Sequence, residues 1–197
     1  MKRSWEEARK LLDWVYDSVG NRLRVGISVL DSPAIDSFAR WRVSTPQTLF
    51  NAKQIFDNLP LFWGDSEESG GSTTSDHSVN EASSTMGVGT VAGLRTRQTF
   101  RRFNYETGKS LLVIMTGVLD ETGGGDGITR GIGYFDDDNG LFFLDDEGTI
   151  SVVRRTKATG SVVDNKTAQS AWNLDVMDGT GTSAITIDWT KSQIFLI

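Results

Sequence analysis

ITRGIGYFDDDNGLFFLDDEGTISVVRRT, residues 128–156, decides the fold class. Three runs rich in Ile, Val, Phe, Leu and Tyr (128–135, 141–144 and 149–156) are separated by Asp138-Asn139-Gly140 and Glu147-Gly148. β-Branched and aromatic residues suit a pleated, half-buried surface, whereas Gly, Asn and Asp tolerate turn backbone. Asn139-Gly140 is the strongest hairpin cue, because both residues accept the positive φ of a type I′ turn. Working outward, 86–91, 97–104, 110–119, 171–175, 185–189 and 193–197 also read as strands. Glu106-Thr107-Gly108, the glycine-rich 123–127 and Gly179-Thr180-Gly181 punctuate them. Short strands at roughly ten-residue spacing predict a mainly β chain, folded as a sandwich or a barrel.

One amphipathic helix is expected, over residues 1–20. Ser4 and Glu7 form an S-x-x-E capping box and Gly20 supplies a stop. Helical periodicity gathers Trp5, Ala8, Leu11, Leu12, Val15, Tyr16 and Val19 on one face. Trp14 falls opposite, among Glu7, Lys10 and Asp17. It either lies over its neighbours at the rim or gives the helix a second partner, as a docking arm has. Trp5, Leu12, Trp14 and Tyr16 are therefore the candidate partner-docking residues. Leu23, Val25, Ile27 and Val29 alternate with polar residues over 22–30, a half-buried strand. Residues 1–40 thus read as an attachment arm of helix and strand, and 41–197 as the β-sandwich domain.

Within that domain, 49–63 is apolar without clean periodicity and contains Pro60, so irregular structure wrapping the core is expected. Residues 66–85, SEESGGSTTSDHSVNEASST, have Val79 as their one apolar anchor. Such a segment buries too little to offset its ordering entropy, which predicts a flexible, structureless loop, either a mobile excursion or one ordered only against a neighbour. SQIFLI at 192–197 is apolar with no polar tail. It reads either as a final core strand or as a point from which the natural chain continues, the second being favoured.

Composition removes several function classes. The 197 residues include no cysteine, so disulfides, thiolate metal sites and cysteine nucleophiles are excluded. A formal net charge of −6 disfavours general adhesion to nucleic acid or anionic membrane. No apolar run approaches the ~18 residues of a membrane span. MKRSWEEARK lacks the apolar core of a secretion signal, so folding in the cytoplasm is expected. The single histidine, His77, lies inside 66–85 and reads as a solvated side chain, unable to build a histidine metal cluster.

Carboxylates make a glycoside hydrolase or lyase the enzymatic rival. That chemistry needs two acids roughly 5–9.5 Å apart across a sugar cleft. Lectin-like hydrolases carry Glu-x-Asp-x-x-Glu along one strand, and no such string occurs here. Asp136-Asp137-Asp138 and Asp145-Asp146-Glu147 flank turn residues, where they solvate hairpins and blunt sheet edges. Counted from Asp136, Gly140 is fifth and Leu141 sixth, so an EF-hand fails, while a looser calcium site between loops stays open. Gly131-x-Gly133 lacks the third glycine of a nucleotide loop. Arg95, Arg97, Arg101 and Arg102 are interleaved with Phe100 and Phe103, as on a stacking-and-phosphate surface. Alternation splits that set between two faces, and arginines that guard a sheet or pair with acids across a subunit contact explain it better. Catalytic residues, metal and cofactor are accordingly assigned as none.

RVSTPQTLFNAKQIFDNLPLFW (42–63), RQTFRRFNYETGKSLL (97–112), MTGVL (115–119), GIGYFD (131–136), NGLFF (139–143), SVVRR (151–155), TGSVVD (159–164), WNLD (172–175) and DGTG (178–181) follow one another in fixed order. This set of motifs resembles that of a structural protein family of tailed double-stranded-DNA bacteriophage virions. The resemblance implies a β-sandwich of jelly-roll or lectin-like type in the capsid, tail or spike, without catalytic residues, acting by assembly with other virion proteins and with copies of itself. The expected location is the virion, assembled in host cytoplasm. The alternative expectation is a carbohydrate-binding, host-recognition module, with host glycan as partner through 123–127 and 66–85. Tyr134, Phe135, Phe142, Phe143 and Trp172 are expected in the core of two facing sheets.

Overall fold

The computed structural model describes residues 47–104, 109–120 and 127–197, together with the backbone of Tyr16–Asp17 and Arg22–Leu23. The chain divides into Met1–Leu49 and Phe50–Ile197, whereas the sequence reading divides it after residue 40. In the first unit, β1 (Tyr16–Asp17) pairs antiparallel with β2 (Arg22–Leu23). Extended backbone at Tyr16–Asp17 corrects the helix expected at those two residues, whose backbone is instead paired across to Leu23 and Arg22. The remainder of the expected helix, and of the strand over 22–30, lies outside the described residues.

The second unit contains β3 (Trp63–Ser69), β4 (Thr73–Ser78), β5 (Ser83–Val88), β6 (Leu94–Thr99), β7 (Ile114–Gly117), β8 (Thr129–Phe135), β9 (Gly140–Asp146), β10 (Thr149–Thr156), β11 (Val163–Ala168), a 3₁₀ turn at Gln169–Ala171 and β12 (Gln193–Leu196). Every pairing is antiparallel. β11-β10-β9-β8 form a four-stranded meander, while β12-β7, β3-β6 and β4-β5 are two-stranded. The described residues are therefore mainly β.

The meander is built from the stretch quoted first. Asp146 faces Thr149 across a two-residue turn in which Glu147 (φ 52°) and Gly148 (φ 90°) are both left-handed. This is the backbone a tight hairpin demands. Asn139-Gly140, by contrast, is not the tight turn expected. Phe135 faces Gly140, so the β8–β9 loop has four residues, 136–139. Asp136 Oδ1 accepts from the backbone N–H of Asp138 (2.9 Å) and Asn139 (2.7 Å), which closes the loop through a side chain. Gly140 lies at φ 148°, and a Cβ there would strike the Phe135 backbone.

Strand alternation gives the meander two apolar faces. On one, Phe142, Leu144 and Val153 are buried together. Phe142 lies directly opposite Gly133, whose missing Cβ makes room for it, and its ring stacks at 4.3 Å on Phe135. On the other, Ile132, Phe143 and Ile150 meet Leu119, Met115, Phe195 and Trp189. The β7–β12 pair supplies Met115 and Phe195, so two sheets share this core. Phe143–Phe195 (5.0 Å), Phe195–Trp189 (6.4 Å) and Trp189–Trp172 (6.4 Å) form a continuous aromatic row.

Three expectations are corrected in this unit. Residues 66–85 are not structureless: they hold the end of β3, all of β4 and the start of β5. Ser and Thr hydroxyls replace apolar anchors there, as when Thr73 donates both N–H (3.1 Å) and O–H (2.6 Å) to Glu67. Residues 171–175 and 185–189 are irregular rather than strands, and an isolated bridge pairs Asp178 with Thr186 between them. The Asp175 carboxylate organises them by accepting from Met177 N (2.7 Å) and Ser183 N (2.8 Å). β11 was not anticipated, because VDNKTA carries no apolar alternation and is exposed along nearly all its length.

Candidate functional site

Three side-chain constellations stand out among the described residues. The first joins the blocks 42–63 and 97–112. Trp63 starts β3 opposite Thr99 on β6, and Phe50 packs against Phe62 (6.2 Å), Trp63 (5.9 Å) and Phe103 (5.5 Å). Arg97 stacks over Trp63 at 5.2 Å, donates to the Asn58 carbonyl and reaches Asp65 at 3.3 Å. Arg95 Nε bonds Asp65 Oδ1 at 2.6 Å, and Ser75 donates to the second oxygen. Burial pushes the Asp65 carboxyl up, but the Ser75 hydroxyl with the Arg95 and Arg97 guanidiniums outweighs it and holds the group below the usual carboxylate range. Asp65 thereby ties β3, β6 and β4 together.

The arginine cluster is thus largely neutralised within its own chain. Arg102 lies 3.5 Å from Asp136, and Arg101 stacks over Phe103 at 5.4 Å. The expected pairing with acids is present, but inside the molecule. His77 is half-buried rather than solvated: its Nε2 donates to the Gln54 carbonyl at 2.8 Å, fixing the segment before β3 onto β4.

The second constellation is ionic and sits at the β8–β9 edge of the shared core. Asp145 is 0% exposed, meets Arg130 at 2.8 Å and accepts from Gly148 N at 2.7 Å. Asp120, also buried, stands 3.7 Å from Arg130. Asp145 is therefore a buried cap for the tight turn, not the hairpin-solvating acid expected. Its neighbours do solvate the strand ends: Asp146 pairs with Lys166 (2.8 Å) and Asp138 with Lys157 (2.9 Å). Across the meander, Arg155 grips Asp164 through two bonds of 2.8 and 2.9 Å and lies over Phe142 at 5.2 Å. That bidentate contact raises the Arg155 guanidinium and lowers the Asp164 carboxyl.

Each of these acids is occupied by a cation or a turn amide. Arg130 lies between Asp120 and Asp145, and no metal-competent group of three or more His, Cys, Asp or Glu occurs among the described residues. The arrangement holds strands in register. It does not present a free pair of carboxylates to a substrate.

The third constellation is apolar surface. β7 and the residues flanking it alternate strictly: Val113, Met115, Gly117 and Leu119 turn inward, and Leu112, Ile114, Thr116 and Val118 outward. β12 adds Phe195 inside and Ile194 and Leu196 outside, with Leu196 opposite Ile114. Sequence reading found this segment as a strand but missed its outer face. The signal was present in LLVIMTGVL (111–119), where apolar residues occupy both parities.

Of the candidate docking residues, Trp5, Leu12 and Trp14 lie outside the described residues, and Tyr16 stands in β1 opposite Leu23. Tyr134 donates its hydroxyl to the Phe103 carbonyl, Phe135 is partly exposed, Phe142 is buried, and Phe143 and Trp172 are half-buried. No helix among the described residues is long and apolar enough to cross a membrane. No protein-family model, curated protein or solved structure matches the chain.

Proposed function

We propose that this protein is a structural component of a tailed-phage virion, acting by protein–protein assembly through a β-sandwich body. One observation carries the reading. The described residues bury six hydrophobic side chains, Leu119, Phe142, Leu144, Ile150, Val153 and Phe195, while 21 large hydrophobics stay exposed. Scattered apolar residues are ordinary on a monomer, but a contiguous patch beyond a few hundred Å² marks an interaction surface. With so small a core among the described residues relative to their exposed apolar surface, burial is completed against neighbours. The sandwich assignment rests on the core shared by the β7–β12 pair and the meander, and on the aromatic row that fills it. The virion assignment rests on the motif resemblance. Networks that engage the carboxylates internally suit a scaffold better than a hydrolase.

Immunogold labelling of intact particles with antibody against this chain tests the proposal. A fixed, repeated labelling position on the particle is the expected result. A chain that remains wholly in the soluble fraction while particles form normally overturns it. Saturable binding on a glycan array, in a chain absent from particles, would install host recognition in its place.

A further inference from the structure

Resting on the assembly reading, we propose that the outer face of the β7–β12 sheet is a two-fold interface between two copies of this chain. Its residues are Leu112, Ile114, Thr116 and Val118 from the β7 run and Ile194 and Leu196 from β12. Ile114 is 62% exposed and Ile194 76%, although they sit on a sheet whose other face is core. The register Leu196↔Ile114 and Ile194↔Thr116 makes the six contiguous. Neither charge nor proline interrupts the patch, and both strands are edges of a two-stranded sheet. Proteins ordinarily blunt such edges with lysine, bulges or a covering element.

A second copy is the occupant that fits. A two-fold contact places a patch against itself, so the patch must carry no charge that would meet its own image. This face meets that requirement, on a chain whose net charge of −6 opposes self-association elsewhere. Five aliphatic side chains at these exposures present on the order of 400–500 Å² of apolar surface, the upper end of what a monomer carries. With a polar rim added, that approaches the ~800 Å² per partner of a stable complex, and an apolar centre is the mark of homodimer interfaces. Two such faces stack as sheets do, about 10 Å apart with side chains interdigitated.

Sedimentation equilibrium of the full chain at about 50 µM is the first measurement, with a dimer or a higher even-numbered oligomer expected. Ile114→Lys or Ile194→Lys places an unpaired charge in the contact and raises the dissociation constant about a hundredfold or more, with the far-ultraviolet spectrum unchanged. Because the chain lacks cysteine, Ile194→Cys creates a unique thiol. A bismaleimide should join that variant into a covalent dimer, whereas Leu174→Cys, at a site 92% exposed and outside the patch, should associate without being cross-linked. If a lysine variant fails to fold, the cysteine pair decides. A monomeric wild-type chain at that concentration overturns the interface. So does an oligomer indifferent to lysine whose Ile194→Cys variant does not cross-link. In the latter case labelled particles would leave the assembly reading standing, so the two claims fail separately.

Discussion

The meander β8–β11 and the paired strands β3–β6 and β4–β5 share antiparallel geometry but are held by different forces. The meander buries Phe142, Leu144, Ile150 and Val153, and charged groups decorate its ends. Among the residues of 63–99 whose burial is described, only Gly71 is buried, and the strands are tied by Asp65, Arg95, Arg97 and a series of Ser and Thr hydroxyls. Backbone pairing alone therefore does not reveal what stabilises a sheet. Apolar burial is insensitive to pH and salt, whereas an ionic and hydroxyl network responds to both.

The comparison breaks most visibly in the meander. Phe142→Ala should lower unfolding free energy by about 3–5 kcal/mol in urea denaturation, since it removes a buried ring and leaves a cavity beside Val153. A loss under 1 kcal/mol would mean that this face is not a core. Asp145→Ala should follow, at roughly 3 kcal/mol, because it strips Arg130 of its nearer carboxylate and Gly148 of its acceptor in a buried setting. Its effect should persist in 1 M salt, unlike that of a surface pair.

Asp65→Asn should cost roughly 2 kcal/mol near neutral pH, the usual scale for hydrogen bonds to a charged group. It should also change the acid profile. The folded-state Asp65 pKa lies below the ordinary aspartate value, so on acidification the unfolded chain takes up this proton first. Stability from Asp65 is complete above about pH 4 and is lost as pH falls through the lower folded value. Asp65→Asn should therefore flatten stability below pH 4, measured by urea midpoints across pH 2–6. An unchanged slope would show that the network is not what ties these strands. The smallest effect is expected at Lys166→Ala, within about 0.5 kcal/mol and abolished by salt, because its partner Asp146 is solvated.

Sequence legibility follows the same division. β8, β9 and β10 were readable because runs dense in β-branched and aromatic residues stand between glycine-bearing turns, and β12 because SQIFLI is apolar from Ile194 onward. β4 and β11 were not: TTSDHS and VDNKTA satisfy their backbones through strand pairing and offer no apolar alternation. Ala171-Trp172-Asn173-Leu174-Asp175 misled in the opposite sense. Its alternation imitates a strand, yet Asp175 draws the following backbone into turns, and Met177 (φ 56°) and Ala184 (φ 52°) adopt left-handed backbone within them. Asn139-Gly140 failed as a tight turn because the Asp136 carboxylate competes for the same amides. At the candidate interface, the apolar run was visible, but only register and exposure show which side of it is left uncovered.

The pairing of β7 with β12 also imposes a timetable. Neighbouring strands of the meander are separated by short connections and can zip together as soon as each is made, whereas Ile114 must find Leu196 across some eighty intervening residues. During synthesis β7 consequently leaves the ribosome long before its partner exists. Its apolar face waits for β12, and closing that long-range pair is slow beside the zipping of the meander.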